Sequence, residues 1–153
     1  MAFSRPYLTY QFELLKNLAI KAANPYYEQA AQLRVRELRV LRLIHDTPGV
    51  TATELRHKLV LDKTLLSKNL AVLEERGLIC YNTDPQDNRV HRLQLTEKGT
   101  QAWKKCEKIG RDLEAKMFGE LSIEELEQLQ QLLHRAYTSF SNWHEQYSKF
   151  SVK

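Results

Sequence analysis

The chain is poor in the residues that build common catalytic and cofactor sites. It has five glycines in 153 residues, and none lies in a Gly-rich phosphate loop or a nucleophile elbow. No enzymatic activity is expected. Cys80 and Cys106 are the two cysteines. They lie far apart in no CxxC spacing, which argues against a disulfide framework and fits a reducing cytosol. The five histidines, His45, His57, His91, His134 and His144, form no H-x-x-x-H group, so neither a metal nor a cofactor is expected. No apolar run approaches about 18 residues. The opening MAFSRPYLTYQFELLKN lacks the long apolar stretch of a signal peptide or anchor. A soluble protein without a membrane role is the expectation.

What is present is enough for a core. The hydrophobic share is 42%, near the globular norm, and the length suits one domain or one domain with helical extensions. The net charge of +4 and pI near 9.1 permit a polyanionic partner without demanding one.

Three zones appear along the chain. Residues 1–47 read as N-terminal helices. Leu8, Phe12, Leu15, Ala19 and Ala22 recur at three- and four-residue spacing, the mark of an amphipathic helix. Pro25 should kink or interrupt it, because proline lacks an N–H and clashes with the preceding turn. A second helix through LRVRELRVLRLIHD should bury Leu38, Leu41 and Ile44 and stop before Pro48-Gly49.

Residues 48–98 are more sharply punctuated. Thr51 with Glu54 makes a capping box for TATELRHKL. After a break at VLD, Asp62 is a natural N-cap for DKTLLSKNLAVLEERG, which Gly77 should end in a left-handed conformation. The second helix should bury Leu66, Leu70 and Leu73, making a helix-turn-helix. LICYN and VHRLQL then read as two short strands joined by TDPQDNR. Helix, turn, helix and two-stranded wing is the order of a winged helix-turn-helix.

Residues 99–153 read as two long helices. Thr96 caps the first, which carries Trp103, Cys106, Ile109, Leu113 and Met117. Ser122 and Glu125 box the start of the second, whose stripe is Leu126, Leu129, Leu133, Ala136, Phe140 and Trp143. A helix of more than about 20 residues spans roughly 30 Å, more than a small winged lobe covers. A second copy of the chain is the economical partner for this stripe and for the one on Leu8, Phe12 and Leu15. The fold class expected is mainly α with a small β-wing: a winged helix-turn-helix DNA-binding lobe with N- and C-terminal helical dimerisation regions.

In such a lobe the second helix enters the major groove and the wing reaches along the backbone or into the minor groove. Lys63, Thr64, Leu65, Ser67 and Lys68 lie in the first two turns, off the buried leucine face. Lys68 suits guanine or phosphate, Thr64 and Ser67 can donate or accept, and Leu65 can meet a thymine methyl. Glu74 and Glu75 fall at the far end. The alternative is an ordinary polar helix face, against which the adjoining wing argues.

The middle zone resembles the MarR family of bacterial transcription regulators. That family's run is a strand, an acidic wing tip near D-x-R-D-x-R, a second strand and L-T-x-x-G. Here DPQDNR is followed by VHRLQLTEKG, with DKTLLSKNLAVLEERGLI ahead of it. The resemblance implies that Arg89 enters the minor groove, that Asp87 braces an arginine at the wing tip, and that Thr64, Leu65, Ser67 and Lys68 meet DNA. It places Thr51 and Thr53 where relatives touch phosphate. Gln86 departs from the pattern by replacing the first wing arginine. The family also implies a homodimer on a pseudo-palindromic operator, in the bacterial cytoplasm at the nucleoid. It further implies repression relieved by a small molecule, often aromatic or anionic. Tyr7, Tyr10, Tyr26, His45 and His57 are candidate pocket residues, each of which also reads as a core, dimer or solvent-facing residue. Two rivals stand beside this. One is thiol sensing, against which Cys80 and Cys106 both read as small buried hydrophobes. The other is a winged helix for protein contacts, which has no reason to hold Lys68 and Arg89 at the DNA-facing edge.

Overall fold

A computed structural model describes residues 6–148; the outer ends of the first and last zones, 1–5 and 149–153, lie outside the described residues. The elements are α1 (Leu8–Ala31), α2 (Val35–Asp46), α3 (Ala52–Leu59), α4 (Lys63–Glu75), β1 (Ile79–Thr83), β2 (His91–Leu95), α5 (Glu97–Met117) and α6 (Ile123–Ser148). No helix among the described residues is long and apolar enough to cross a membrane. The architecture is mostly helical with one two-stranded antiparallel sheet, as expected of a winged helix.

The chain packs as two compact units, residues 1–113 and 114–153. In the first, Leu33, Leu41, Ile44, Leu55, Leu73 and Leu93 are all but fully buried in one cluster. α2 supplies Val40, Leu41 and Ile44 to it. Leu38, expected in this core, is half-buried at its margin; the helix begins only at Val35, and its inward stripe runs through Val40, Leu41 and Ile44 instead. α4 buries Leu66, Leu70 and Leu73 as its spacing predicts, and Asn69 beside them.

α1 continues through Pro25 without interruption, so of the two outcomes expected there, a kink or a break, the break does not occur. The proline removes one backbone donor, but its neighbourhood is anchored from outside the helix. Asn24 Oδ1 accepts the Val35 N–H at 2.9 Å, Ala23 is buried, and the Arg76 guanidinium donates to the Ala31 and Gln32 carbonyls. Those two carbonyls would otherwise be left without partners at the helix end.

Local signals place the other helices. Thr51 and Glu54 form the reciprocal box, with Glu54 Oε2 2.8 Å from Thr51 N and Thr51 Oγ1 3.3 Å from Glu54 N. Asp62 Oδ1 accepts the Leu65 N–H at 2.8 Å. Gly77 ends α4 at φ +66°. Ser122 and Glu125 box the start of α6. Thr96 Oγ1 donates to the Gly77 carbonyl at 2.6 Å and accepts from Gly99 N at 3.0 Å. One hydroxyl thereby joins the end of α4 to the start of α5.

Candidate nucleic-acid interface

The helix-turn-helix presents its polar residues outward because its leucines are turned in. Lys63, Thr64, Ser67 and Lys68 are exposed on the first two turns of α4, and Leu65 is half-buried. Thr53 is exposed on the first turn of α3. Thr51 is half-buried and its hydroxyl accepts the Glu54 N–H of the cap. Bonds to Thr51 hold the Glu54 carboxyl below its usual range, the backbone N–H first and the hydroxyl second. A shallow crevice between α3 and α4 brings Thr53, Lys63 and Ser67 together with Ala52, Arg56, Leu66 and Leu70.

The wing is built on register. Ile79 faces Leu95, Tyr81 faces Leu93 and Thr83 faces His91, so Ile79 and Leu93 turn into the core. A third backbone segment joins the sheet, because Val50 and Leu93 bridge through Leu93 N–H to Val50 O at 2.9 Å and Gly49 N–H to Leu93 O at 2.8 Å. The wing therefore hangs from the turn that precedes α3.

Asp84 organises the tip. Its Oδ1 accepts the N–H groups of Gln86 and Asp87 at 2.8 and 3.3 Å, and its Oδ2 accepts Arg92 Nε at 2.6 Å. Arg92 Nη1 reaches on to the Gly49 carbonyl at 3.2 Å, tying the tip to the body of the lobe. The Gln86 backbone bond, then the Arg92 bond, hold the Asp84 carboxyl below the ordinary range against the opposing effect of burial. Asp87 acts on a smaller scale, with Oδ1 3.0 Å from Arg89 N and 3.3 Å from Arg89 Nε. The Arg89 side chain is 92% exposed. An arginine so presented, on a turn fixed from behind, suits insertion into a narrow, negative groove.

Arg56 and Arg92 were missed by sequence reasoning. Arg92 gives no local signal, since its partners lie across the hairpin and in the preceding turn. Arg56 joins the site through the crossing of α3 and α4, for which the sequence holds no marker.

Four of the five pocket candidates are exposed and one is half-buried. Tyr7, Tyr10, Tyr26 and His57 are exposed. His45 is half-buried, stacks on Trp103 with ring centroids 3.5 Å apart, and bonds Asp46 at 3.0 Å. No hydrogen bond or ring contact joins any two of the five among the described residues, and none lines the α3–α4 crevice. The cysteines divide. Cys106 is buried as expected, and burial raises its thiol pKa. Cys80 is exposed, against expectation; strand alternation sets Ile79 inward and Cys80 outward. Among the described residues no cluster of His, Cys, Asp and Glu is placed to hold a metal ion.

Known proteins resemble this chain in sequence and in fold. The chain is 30% identical over 124 residues to the transcriptional regulator HosA of Escherichia coli O111:H-, covering 81% of this chain and 92% of that protein. The solved structure of the transcriptional regulator SlyA superposes with a TM-score of 0.81 at 20% identity, over 92% of this chain and 98% of the other. A mutant MarR from E. coli complexed with operator DNA gives 0.77 at 23% identity, over 84% and 92%. These two share the fold. A sequence profile described as the MarR family matches residues 31–89, from the end of α1 through the helix-turn-helix to Arg89 at the wing tip. With that profile and the long match to HosA, the chain belongs to the MarR family.

Proposed function

We propose that this protein is a sequence-specific DNA-binding transcription regulator, acting as a homodimer on a pseudo-palindromic operator in the bacterial cytoplasm. One observation carries the reading: two exposed, cationic reading elements are fixed to one body. α4 offers Lys63, Thr64, Ser67 and Lys68 on its outer face, and the Asp84–Arg92–Gly49 chain holds the wing that offers Arg89. In the docking geometry of winged helices, α4 reads base edges in the major groove while the wing tip meets the adjoining minor groove. Glu74 and Glu75, at the end of α4, lie furthest from the phosphates. The MarR neighbour is bound to operator DNA, which supports this mode.

The finer reading is a repressor released by a small, aromatic or anionic molecule. DNA and effector would then oppose each other through linkage, each weakening the other's binding by the same factor. Thiol sensing loses support at Cys106, which is buried and whose thiol pKa burial raises.

The test is selection of bound duplexes from a random-sequence library by the full chain. The reading expects enrichment of one motif with two inverted half-sites. A protein that enriches no motif, and binds every duplex alike at 150 mM salt, is not a sequence-specific regulator.

A further inference from the structure

Of the basic side chains near α4, Arg56 is the least explained by folding. It is half-buried, yet among the described residues it has no ion pair or side-chain hydrogen bond. Glu54 and Asp62, the carboxylates that cap α3 and α4, bond backbone N–H groups, Thr51 N–H at 2.8 Å and Leu65 N–H at 2.8 Å, and neither pairs with it. Arg56 lines the α3–α4 crevice with Lys63, Thr53 and Ser67, over an apolar floor of Leu66 and Leu70. The crevice thus holds two cations, two hydroxyls and no carboxylate. Ala52 and Lys63, the first residues of α3 and α4, also line it. Over an apolar floor such a set attracts an anion more strongly than in open water.

We propose that this crevice seats one backbone phosphate of the DNA duplex, with Arg56 as its main cation, Lys63 as the second, and Thr53 and Ser67 as hydroxyl donors. The occupant is a DNA phosphodiester because Ser67 and Lys63 also border the exposed face of α4. A helix docked in the major groove, about 12 Å wide, has phosphates alongside it. Arg56 then sets how deeply and at what angle α4 sits, without reading a base. The inference rests on the DNA-binding reading above.

The experiment measures affinity of the full chain for its library-selected duplex across a salt series, with Arg56→Met and Arg56→Lys variants and a melting curve for each. Methionine keeps the aliphatic stem and loses the charge; lysine keeps the charge. Arg56→Met should flatten the plot of log affinity against log salt by about 0.9 per bound subunit. It should weaken binding by roughly tenfold or more, as expected for a lost charge-assisted hydrogen bond, while Arg56→Lys keeps most of the slope. One methylphosphonate, scanned along the duplex, should weaken wild type at several positions per half-site, and at one of these the effect should be much smaller in Arg56→Met. Wild-type slope in Arg56→Met, or equal methylphosphonate effects in both proteins, overturns the phosphate seat while DNA binding stands. A wild-type chain that binds no duplex removes the DNA reading itself. A weaker Arg56→Met with a wild-type slope and a lowered melting temperature would likewise assign Arg56 to packing.

Discussion

Gly99 shows how one missing carbon fixes the join between the end of α4 and α5. A Cβ built there would lie 1.9 Å from the Leu78 carbonyl oxygen and 2.9 Å from its carbon. Leu78 is almost fully buried, so its backbone cannot step aside. Overpacking of a core costs about 1–3 kcal/mol, and a clash with backbone belongs at the upper end. Gly99→Ala should therefore lower the melting temperature by roughly 6–12 °C for a chain of this size. At Gly77 nothing lies within 4 Å of an added Cβ, and the cost is conformational, at φ +66°. Gly77→Ala should cost about 1–2 kcal/mol, so the pair separates crowding from backbone strain in one set of melts. Arg89 is the opposite kind of residue, since its side chain is exposed and, among the described residues, pairs with Asp87 alone. Arg89→Ala should leave the melt unchanged and weaken binding to the selected duplex by about 1–3 kcal/mol. Wild-type affinity in that variant would remove the wing tip from the interface.

At the scale of the element, the wing is held by a chain of contacts that starts at one carboxylate. Asp84 receives Gln86 N–H, Asp87 N–H and Arg92 Nε, and its pKa is depressed in the folded chain by those bonds, the Gln86 one foremost. A depressed folded pKa means the carboxylate stabilises the wing fully above its ordinary unfolded value. That stabilisation is lost as the pH falls through the depressed folded value. The amide proton of Gln86 should accordingly shift in NMR spectra at a pH below the ordinary aspartate range. Asp84→Asn should abolish that transition and loosen the wing at neutral pH, seen as faster exchange of the Asp87 and Val90 amides. A Gln86 amide that titrates at an ordinary aspartate value would show that these bonds do not bias the carboxylate.

The same element shows what a sequence can carry. The Thr51–Glu54 box, the Asp62 cap and the Ser122–Glu125 box each need partners within three residues, so their chemistry is visible as spacing. Leu66, Leu70 and Leu73 are equally legible, because helical period alone sets them on one face. The Asp84–Arg92 pair spans eight residues and the Arg92–Gly49 bond 43. Neither exists until the hairpin register sets Asn82 opposite Arg92 and Thr83 opposite His91. Asp87 therefore drew the role of brace, which it fills for Arg89, while the larger brace at Asp84 stayed hidden. Cys80 failed for a related reason: alternation gives a strand two faces without saying which is the inner one. Pro25 does not break α1, because helix propensity is local whereas Asn24 and Arg76 hold the end of α1 from outside it.

For the whole molecule the unsolved quantity is apolar surface. α6 spans 26 residues and has no buried residue; Leu126 and Leu129 are half-buried, and Leu133, Phe140 and Trp143 are 43%, 54% and 63% exposed. On α1, Leu8, Phe12 and Leu15 are exposed as well. Contiguous apolar faces of this length are rare on monomers, and each Å² of apolar surface that a second copy covered would contribute about 25 cal/mol. The expected mass in solution is twice the chain's 18.0 kDa. A Leu133→Asp, Phe140→Asp double variant puts two carboxylates into that face and should shift sedimentation to a single chain. A dimer also has a consequence for DNA. Two lobes that together neutralise about 6–10 phosphates should lose roughly 10³ to 10⁵ in affinity between 50 and 200 mM salt, whereas one lobe carries half the contacts and so about half the logarithmic slope. The double variant, whose substitutions lie far along the chain from the helix-turn-helix, should therefore bind weakly and with that halved slope. If it binds the selected duplex as tightly and as steeply as wild type, the exposed faces of α1 and α6 serve some other partner, and each lobe reads its site alone.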